Sequence, residues 1–261
     1  MKTIFKISIV TFLAIISFSF QQEKPTVYLV GDSTVKNGSG NGENGLWGWG
    51  DFLANYMDSD KISVENHALG GRSSRTFISE GRWDKVHDQI EPGDYVIIQF
   101  GHNDGGPIND DFRARGTIRG NGEGAEQIDN MLTGKREIVK SYGWYIRKYI
   151  VDTKAKGANP IVCSPVPRNK WDGKKVQRST KEGYAQWAKE AAEMEDAYFI
   201  DLNHLVAKKY ESLGQQYVTD SLFLTDHTHT NEKGAIINAE IVAKRINKLK
   251  KCDLSDYLKN N

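Results

Sequence analysis

Near the start of the chain stands the stretch Val27-Tyr28-Leu29-Val30-Gly31-Asp32-Ser33-Thr34, an apolar run that stops at a Gly-Asp-Ser corner. Four successive apolar residues, rich in β-formers, predict a strand that is buried on both faces. In an open α/β sheet, a serine just past such a strand lies where ligands bind. Because Gly, Asp and Ser are also ordinary turn residues, the corner alone is weak support for a nucleophile.

Four further apolar segments alternate with helical patterns along the chain. Strands are predicted at residues 62–69, 94–100, 160–164 and 198–201, and helices at 50–57, 83–90, 136–156, 181–194, 205–213 and 232–249. Residues 107–133 and 165–180 are predicted to be long loops, and residues 217–230 to be irregular. Strands that are apolar on both faces and alternate with helices are typical of a mostly parallel sheet with helices on both sides. The sequence therefore predicts one α/β domain with five parallel strands.

Composition narrows the classes of partner. The 261 residues carry 35 Lys and Arg against 34 Asp and Glu, a formal charge of +1, with no basic stripe or acidic tail. This balance argues against nucleic acid and membrane as partners, and we expect a monomer. The two cysteines, Cys163 and Cys252, are too few for a thiolate zinc cluster. We expect no disulfide, because a domain of this size does not need one.

The first residues predict a signal peptide over residues 1–19. Lys2 and Lys6 precede the apolar run 7–20, and the polar residues 21–24 follow at once. The run is shorter than the ~20 residues that a spanning helix needs, and small residues stand near the expected cleavage point. A retained anchor is the alternative. We therefore expect a periplasmic or secreted protein whose domain covers residues 26–250.

Four polar clusters lie where predicted strands end or just before the last helix. They cover residues 31–34, 66–72, 101–104 and 226–231. Because the carboxyl ends of parallel strands share one edge, the first three clusters are predicted to converge there. The fourth precedes a helix that has to pack back on the sheet.

Together these clusters hold a full set of groups for acyl transfer, which needs a nucleophile, a base, a group that orients the base and donors for the oxyanion. Ser33 is the candidate nucleophile and His229 the base. Asp226, three residues before His229, can fold back onto the imidazole and orient it. The candidate oxyanion donors are the N–H groups of Ser33 and Gly71 and the side-chain amide of Asn103. Glycine also lets the backbone approach a substrate closely.

In this order the four clusters resemble the SGNH (GDSL-like) hydrolase superfamily, which places Ser, Gly, Asn and Asp-x-x-His in four blocks. The strings Gly-Asp-Ser-Thr at 31–34, Gly-Arg-Ser-Ser-Arg at 71–75, Gly-His-Asn-Asp-Gly-Gly at 101–106 and Asp-His-Thr-His-Thr at 226–230 are similar to those of rhamnogalacturonan acetylesterases. The resemblance implies a flavodoxin-like three-layer α/β/α fold and serine chemistry without metal or other cofactor. It also implies removal of acetyl groups from an acetylated pectic poly- or oligosaccharide.

Alternatives remain open at this point. Asp226, His227 and His229 are close enough in sequence for a metal site, and His227 competes with His229 as base. Another acetylated glycan such as xylan, or a short-chain ester, fits the same chemistry. A non-catalytic glycan-binding protein would also fit the fold, although binding needs no activated serine.

Substrate contacts are predicted for Arg168, His227 and Trp171. A planar guanidinium suits the carboxylate of galacturonate, and an indole ring can stack on a sugar. Core packing explains Trp171 equally well, and a pocket-wall role explains His227. Arg72 and Arg75 could meet carboxylates too, or simply brace their loop.

Overall fold

The protein is described by a computed structural model that covers residues 24–179 and 182–259. The predicted signal peptide, residues 1–19, lies outside these ranges. The strands are, in chain order, β1 (Thr26–Gly31), β2 (Ser63–Asn66), β3 (Tyr95–Gln99), β4 (Ala125–Asp129), β5 (Arg136–Lys140), β6 (Asn159–Cys163), β7 (Trp171–Asp172), β8 (Lys175–Val176) and β9 (Tyr198–Ile200). A 3₁₀ helix, Trp49–Tyr56, follows the first loop, and a second, Asp253–Tyr257, lies near the chain end.

Five of these strands form one sheet in the order β2-β1-β3-β6-β9, and every neighbouring pair is parallel. The prediction of five parallel strands is confirmed. Leu29 pairs with Ile97, and Ile97 with Ile161, so the middle of the sheet is a continuous row of aliphatic side chains. The order is that of a flavodoxin-like sheet, whose ligands bind at the carboxyl ends of the strands.

Helices cover both faces of the sheet. They are α1 (Ser74–Ser79), α2 (Arg82–His87), α3 (Tyr142–Ala155), α4 (Tyr184–Met194), α5 (Leu202–Leu213), α6 (Gln215–Leu222) and α7 (Glu232–Ile246). Strand residues alternate between two cores: Leu29 packs with the residues of α5, α6 and α7, whereas Val30 packs with those of α1 to α4. This alternation gives the expected three layers. Within the part of the chain that the structure covers, no helix is both long and apolar enough to cross a membrane.

The predicted helix 136–156 is wrong at its start. Residues 136–140 form β5, which pairs antiparallel with β4, and β4 lies in the segment predicted to be a loop. Ile138 is 56% exposed whereas Val139 is fully buried, as expected for a strand with one covered face. The helix begins only after Ser141, whose side chain accepts a hydrogen bond from the Trp144 N–H and caps α3.

Four other predictions need correction. The segment 165–180, predicted to be a loop, contains an antiparallel hairpin formed by β7 and β8. The predicted strand 62–69 ends at Asn66, although the N–H groups of His67 and Leu69 still bond to the carbonyls that follow along β1. The short helix α1 lies in a segment with no predicted element and begins at Ser73, which accepts from Thr76 N–H. The helix α6 lies in the segment predicted to be irregular.

Candidate active site

The corner after β1 holds Ser33 at the carboxyl edge of the sheet. Gly31 is required at the strand end, because a Cβ there would lie 2.6 Å from the Gln99 carbonyl oxygen. The buried Asp32 carboxylate accepts hydrogen bonds from the Thr34 N–H at 2.9 Å and the Thr34 hydroxyl at 2.7 Å. These hydrogen bonds hold the turn on its buried side, and Ser33 lines the cleft on the other side.

Ser33 meets a histidine from the other end of the chain. Ser33 Oγ lies 2.8 Å from His229 Nε2, and His229 Nδ1 lies 2.7 Å from Asp226 Oδ2. The other carboxylate oxygen, Asp226 Oδ1, accepts from the backbone N–H groups of Thr228 and His229 at 2.6 and 2.8 Å. Asp226 thus holds the backbone turn with one oxygen and the imidazole with the other. In this arrangement the imidazole can take a proton from the serine hydroxyl.

The segment with His229 is joined to the first loop by a short antiparallel bridge. The Trp47 N–H donates to the Thr230 carbonyl at 2.9 Å, and the Thr230 hydroxyl donates back to the Trp47 carbonyl at 3.3 Å. This Trp47–Thr230 bridge positions His229 against the serine corner.

Asp226 is held as a carboxylate. Partial burial works to raise its pKa, but the hydrogen bonds from the His229 ring and from the His229 and Thr228 N–H groups outweigh burial and lower the pKa to about 2. The carboxyl group of Asp226 is therefore ionised at neutral and mildly acidic pH. A permanent negative charge beside Nδ1 keeps the proton of a neutral imidazole on that nitrogen and leaves Nε2 free to accept one.

The predicted oxyanion donors face the same cleft. Gly71 has φ +80°, a left-handed conformation that strains any other residue. Asn103 is 7% exposed, and its amide nitrogen donates one hydrogen bond to the Arg72 carbonyl at 2.8 Å. A side-chain amide carries two N–H donors, so the second one is free for a ligand. Gly71 and Asn103 both line the cleft with Ser33 and His229.

That cleft has a volume of about 630 Å³ and is rich in arginine. Arg168 lines it and donates to the His102 carbonyl at 3.3 Å. Arg113 and Arg115 also line it, and both come from the long loop 107–133. Sequence reasoning missed these two, because nothing in a loop without periodicity indicates which of its polar residues turn inward.

Neither His227 nor Trp171 lines this cleft. His227 is exposed, and its Nδ1 pairs with the Thr228 hydroxyl at 3.1 Å. Trp171 packs partly on the core, and its N–H donates to Asn169 Oδ1 at 2.7 Å. Their roles in substrate binding stay predictions. In residues 24–179 and 182–259 no group of three or more His, Cys, Asp or Glu side chains is arranged around a metal position.

Arg75 braces the loops beside the cleft. Its side chain is 1% exposed and makes a two-pronged ion pair with Glu137 of β5, with distances of 2.7 and 2.6 Å. It also donates to the carbonyls of Ile108 and Gly116. Of the two roles considered for Arg75, the structure shows the bracing one.

Beneath Asn103 lies a buried carboxyl group, Asp104. Its Oδ1 accepts from the Ser74 N–H and hydroxyl, whereas Oδ2 has no partner in the described residues. Burial raises the pKa of Asp104 to about 7. Burial likewise lowers the pKa of His102, so a neutral imidazole is favoured there.

Comparison with known proteins gives a consistent family. The GDSL-like lipase/acylhydrolase family matches residues 29–235. A rhamnogalacturonan acetylesterase of Emericella nidulans is 34% identical over 85% of this chain and 84% of its own length. A probable rhamnogalacturonan acetylesterase of Bacillus subtilis, YesY, is 32% identical over 85% of this chain and 93% of its own. Among solved structures, Bacillus subtilis YxiM superposes with a TM-score of 0.69 at 27% identity. The match covers 86% of this chain and 56% of that longer protein.

Proposed function

We propose, from the premise that this chain belongs to the GDSL-like lipase/acylhydrolase family and is a carboxylic ester hydrolase, that it removes acetyl groups from rhamnogalacturonan. Support for the substrate comes from the two relatives above 30% identity that carry this activity in their names. The observation that carries the chemistry is the Ser33–His229–Asp226 chain of hydrogen bonds, 2.8 and 2.7 Å long, at the edge of an arginine-lined cleft.

In the proposed reaction Ser33 Oγ attacks the acetyl carbonyl carbon while its proton passes to His229 Nε2. The tetrahedral oxyanion is bound by the N–H groups of Ser33 and Gly71 and the amide of Asn103. As the carbon–oxygen bond to the sugar breaks, His229 returns the proton to the sugar oxygen, and an acetyl ester of Ser33 remains. Water then attacks this ester, gives its proton to His229, and acetate leaves as Ser33 regains its proton.

The contacts with the sugars are proposed for the same cleft. Arg168 offers donors that suit the carboxylate of galacturonate. Trp171 and His227 lie outside the lining of this cleft, so they would serve only a longer stretch of glycan. The secreted or periplasmic location is proposed with the function, since a pectic polymer is found outside the cell.

The nucleophile is tested by Ser33→Ala. We expect acetate release to fall by several orders of magnitude, as is typical when a member of such a triad is removed. A variant that folds like the wild type and keeps more than about a hundredth of the rate would contradict the assignment. Labelling with a serine-directed organophosphate separates an enzyme from a glycan-binding protein, because only an activated serine reacts.

The substrate is tested by measuring acetate release on acetylated rhamnogalacturonan, acetylated xylan and a short-chain ester under the same conditions. We expect the highest kcat/KM on rhamnogalacturonan. A higher value on xylan or the short-chain ester would retain the serine chemistry and overturn the proposed substrate. Activity that disappears on chelation and returns with zinc would support the metal alternative.

A further inference from the structure

A second cleft adjoins the one around Ser33. It has a volume of about 520 Å³, within the usual range of ligand sites. His102, Arg115 and Arg168 line both clefts, so the two meet at these side chains. Lys170, Gln177 and Tyr184 line only the second cleft or its continuation. When an acetyl group of a polymer lies at Ser33, the neighbouring sugars have to leave the first cleft at one of its ends. The second cleft extends from the end that is lined by the shared side chains.

The charge of the second cleft is one-sided. Arg115, Arg168, Lys170 and Arg178 line it, and no aspartate or glutamate is among its described lining residues. Arg178 is neutralised by Glu211 at 2.6 Å. The other three cations make no salt bridge within the described ranges. Arg115 and Arg168 each donate to one backbone carbonyl, at 3.1 and 3.3 Å, which leaves most of the five N–H donors of each guanidinium free.

Three buried polar atoms on the lining residues have no hydrogen-bond partner in the described chain: His102 Nε2, Arg178 Nε and the Tyr184 hydroxyl. Buried polar groups are nearly always hydrogen-bonded, to water or a ligand where the protein offers nothing. These three atoms are enclosed within the walls, so it is the free cations of the cleft that favour a ligand with a negative charge.

We propose that the second cleft is a subsite for a uronic acid sugar of the same glycan chain as the acetylated sugar, with Lys170, Arg168 and Arg115 around its carboxylate. The proposal rests on the proposed function, because it needs an acidic glycan at Ser33. It accounts for selectivity between acidic and neutral acetylated glycans, since a neutral chain leaves these cations without a partner.

Lys170 tests the subsite, because it lines the second cleft and not the first. The variant Lys170→Glu reverses one charge there. The matched control is Lys174→Glu, an exposed residue of the same β7–β8 hairpin that lines neither cleft. The measured quantity is the ratio of kcat/KM on acetylated rhamnogalacturonan oligosaccharide to kcat/KM on a small neutral acetyl ester.

We expect Lys170→Glu to lower this ratio about tenfold, mainly through KM, because a like charge faces the carboxylate. Lys174→Glu should change the ratio less than about twofold, because Lys174, although as exposed as Lys170, lines neither cleft. An equal change in both variants, or no change in either, would overturn the subsite.

Direct binding measurements distinguish failure of the subsite from failure of the proposed function. A deacetylated rhamnogalacturonan oligosaccharide is titrated into wild type and both variants by calorimetry. If wild type releases no acetate from rhamnogalacturonan, the proposed function fails. If wild type is active on that polymer but binds the oligosaccharide no better than Lys170→Glu does, only the subsite fails.

Discussion

Residue 71 illustrates how single positions carry the site. At φ +80° only glycine is unstrained, and its neighbour Gly70 would place a Cβ 3.6 Å from the Ser33 Cβ. Two adjacent glycines therefore keep the wall beside the serine free of side chains. The sequence is informative at this scale because local chemistry determines the residue type at each position. The turn needs a glycine at 71, the neutral amide is Asn103, and Asp226 stands three residues before His229.

The amide of Asn103 is expected to bind the oxyanion. Asn103→Ala should lower kcat on a small acetyl ester roughly a hundredfold with little change in KM, because the donor acts in the transition state. Asn41→Ala is the control, since Asn41 is exposed and its side chain bonds, among the described residues, only to Glu43. If turnover is unchanged in Asn103→Ala, the amide is not an oxyanion donor.

Asp104 makes stability depend on pH. Its pKa is raised from 3.8 to about 7 in the folded protein, so its favourable contribution is complete below about pH 4 and is lost as the pH rises through 7. Asp104→Asn should remove this loss, on the order of a few kcal/mol, because the amide can keep the Ser74 bonds at Oδ1.

The measurement is urea unfolding at pH 5 and pH 8. Asp111→Asn, at an exposed position, should retain the pH dependence of wild type. An equal fall in stability for wild type and Asp104→Asn would show that another group is responsible.

At the scale of elements, the sequence predicts the five strands of the main sheet well but does not predict the β4–β5 hairpin. Residues 138, 139 and 142 are apolar at helical spacing, so the pattern predicts a helix, and the cap at Ser141 is what separates β5 from α3. The position of the loop 107–133 depends on the long-range contacts of Arg75, and no local pattern encodes these. The inward arginines of that loop could therefore not be predicted.

Arg75 should be important for stability. Arg75→Ala removes the ion-pair partner of the partly buried Glu137, which keeps only the Asn130 amide as a side-chain donor, and it removes a donor from two carbonyls. This should cost about 3–5 kcal/mol. Arg82→Ala removes an exposed pair with Glu80 and should cost less than about 1 kcal/mol. Urea unfolding measures both variants, and similar losses in the two would contradict the bracing role.

For the whole molecule, net charge conceals the distribution of charge. The chain carries only +1, yet four arginines and one glutamate line the cleft around Ser33. Such a local excess attracts a polyanion although the protein as a whole is nearly neutral. Composition alone therefore cannot reveal this local positive field.

Salt should weaken activity on the acidic glycan selectively. Raising ionic strength from about 0.05 to 0.5 M shortens the screening length to a few ångströms, so kcat/KM on acetylated rhamnogalacturonan should fall several-fold. The rate on a neutral acetyl ester is the internal control. A parallel fall on both substrates would assign the effect to the catalytic groups instead of the cleft charge.

The placement of Asp226 and His229 on one four-residue turn has a mechanical consequence. Asp226 is hydrogen-bonded to both the ring and the backbone N–H of His229, so these two residues should move together. Ser33 is 196 positions away in the chain. The Trp47–Thr230 bridge joins the turn that carries His229 to the first loop, which follows the Ser33 corner. On heating, this bridge should be lost first, which would move His229 out of reach of Ser33. Activity should then disappear at a temperature at which Asp226 still orients the imidazole and most of the sheet is still folded.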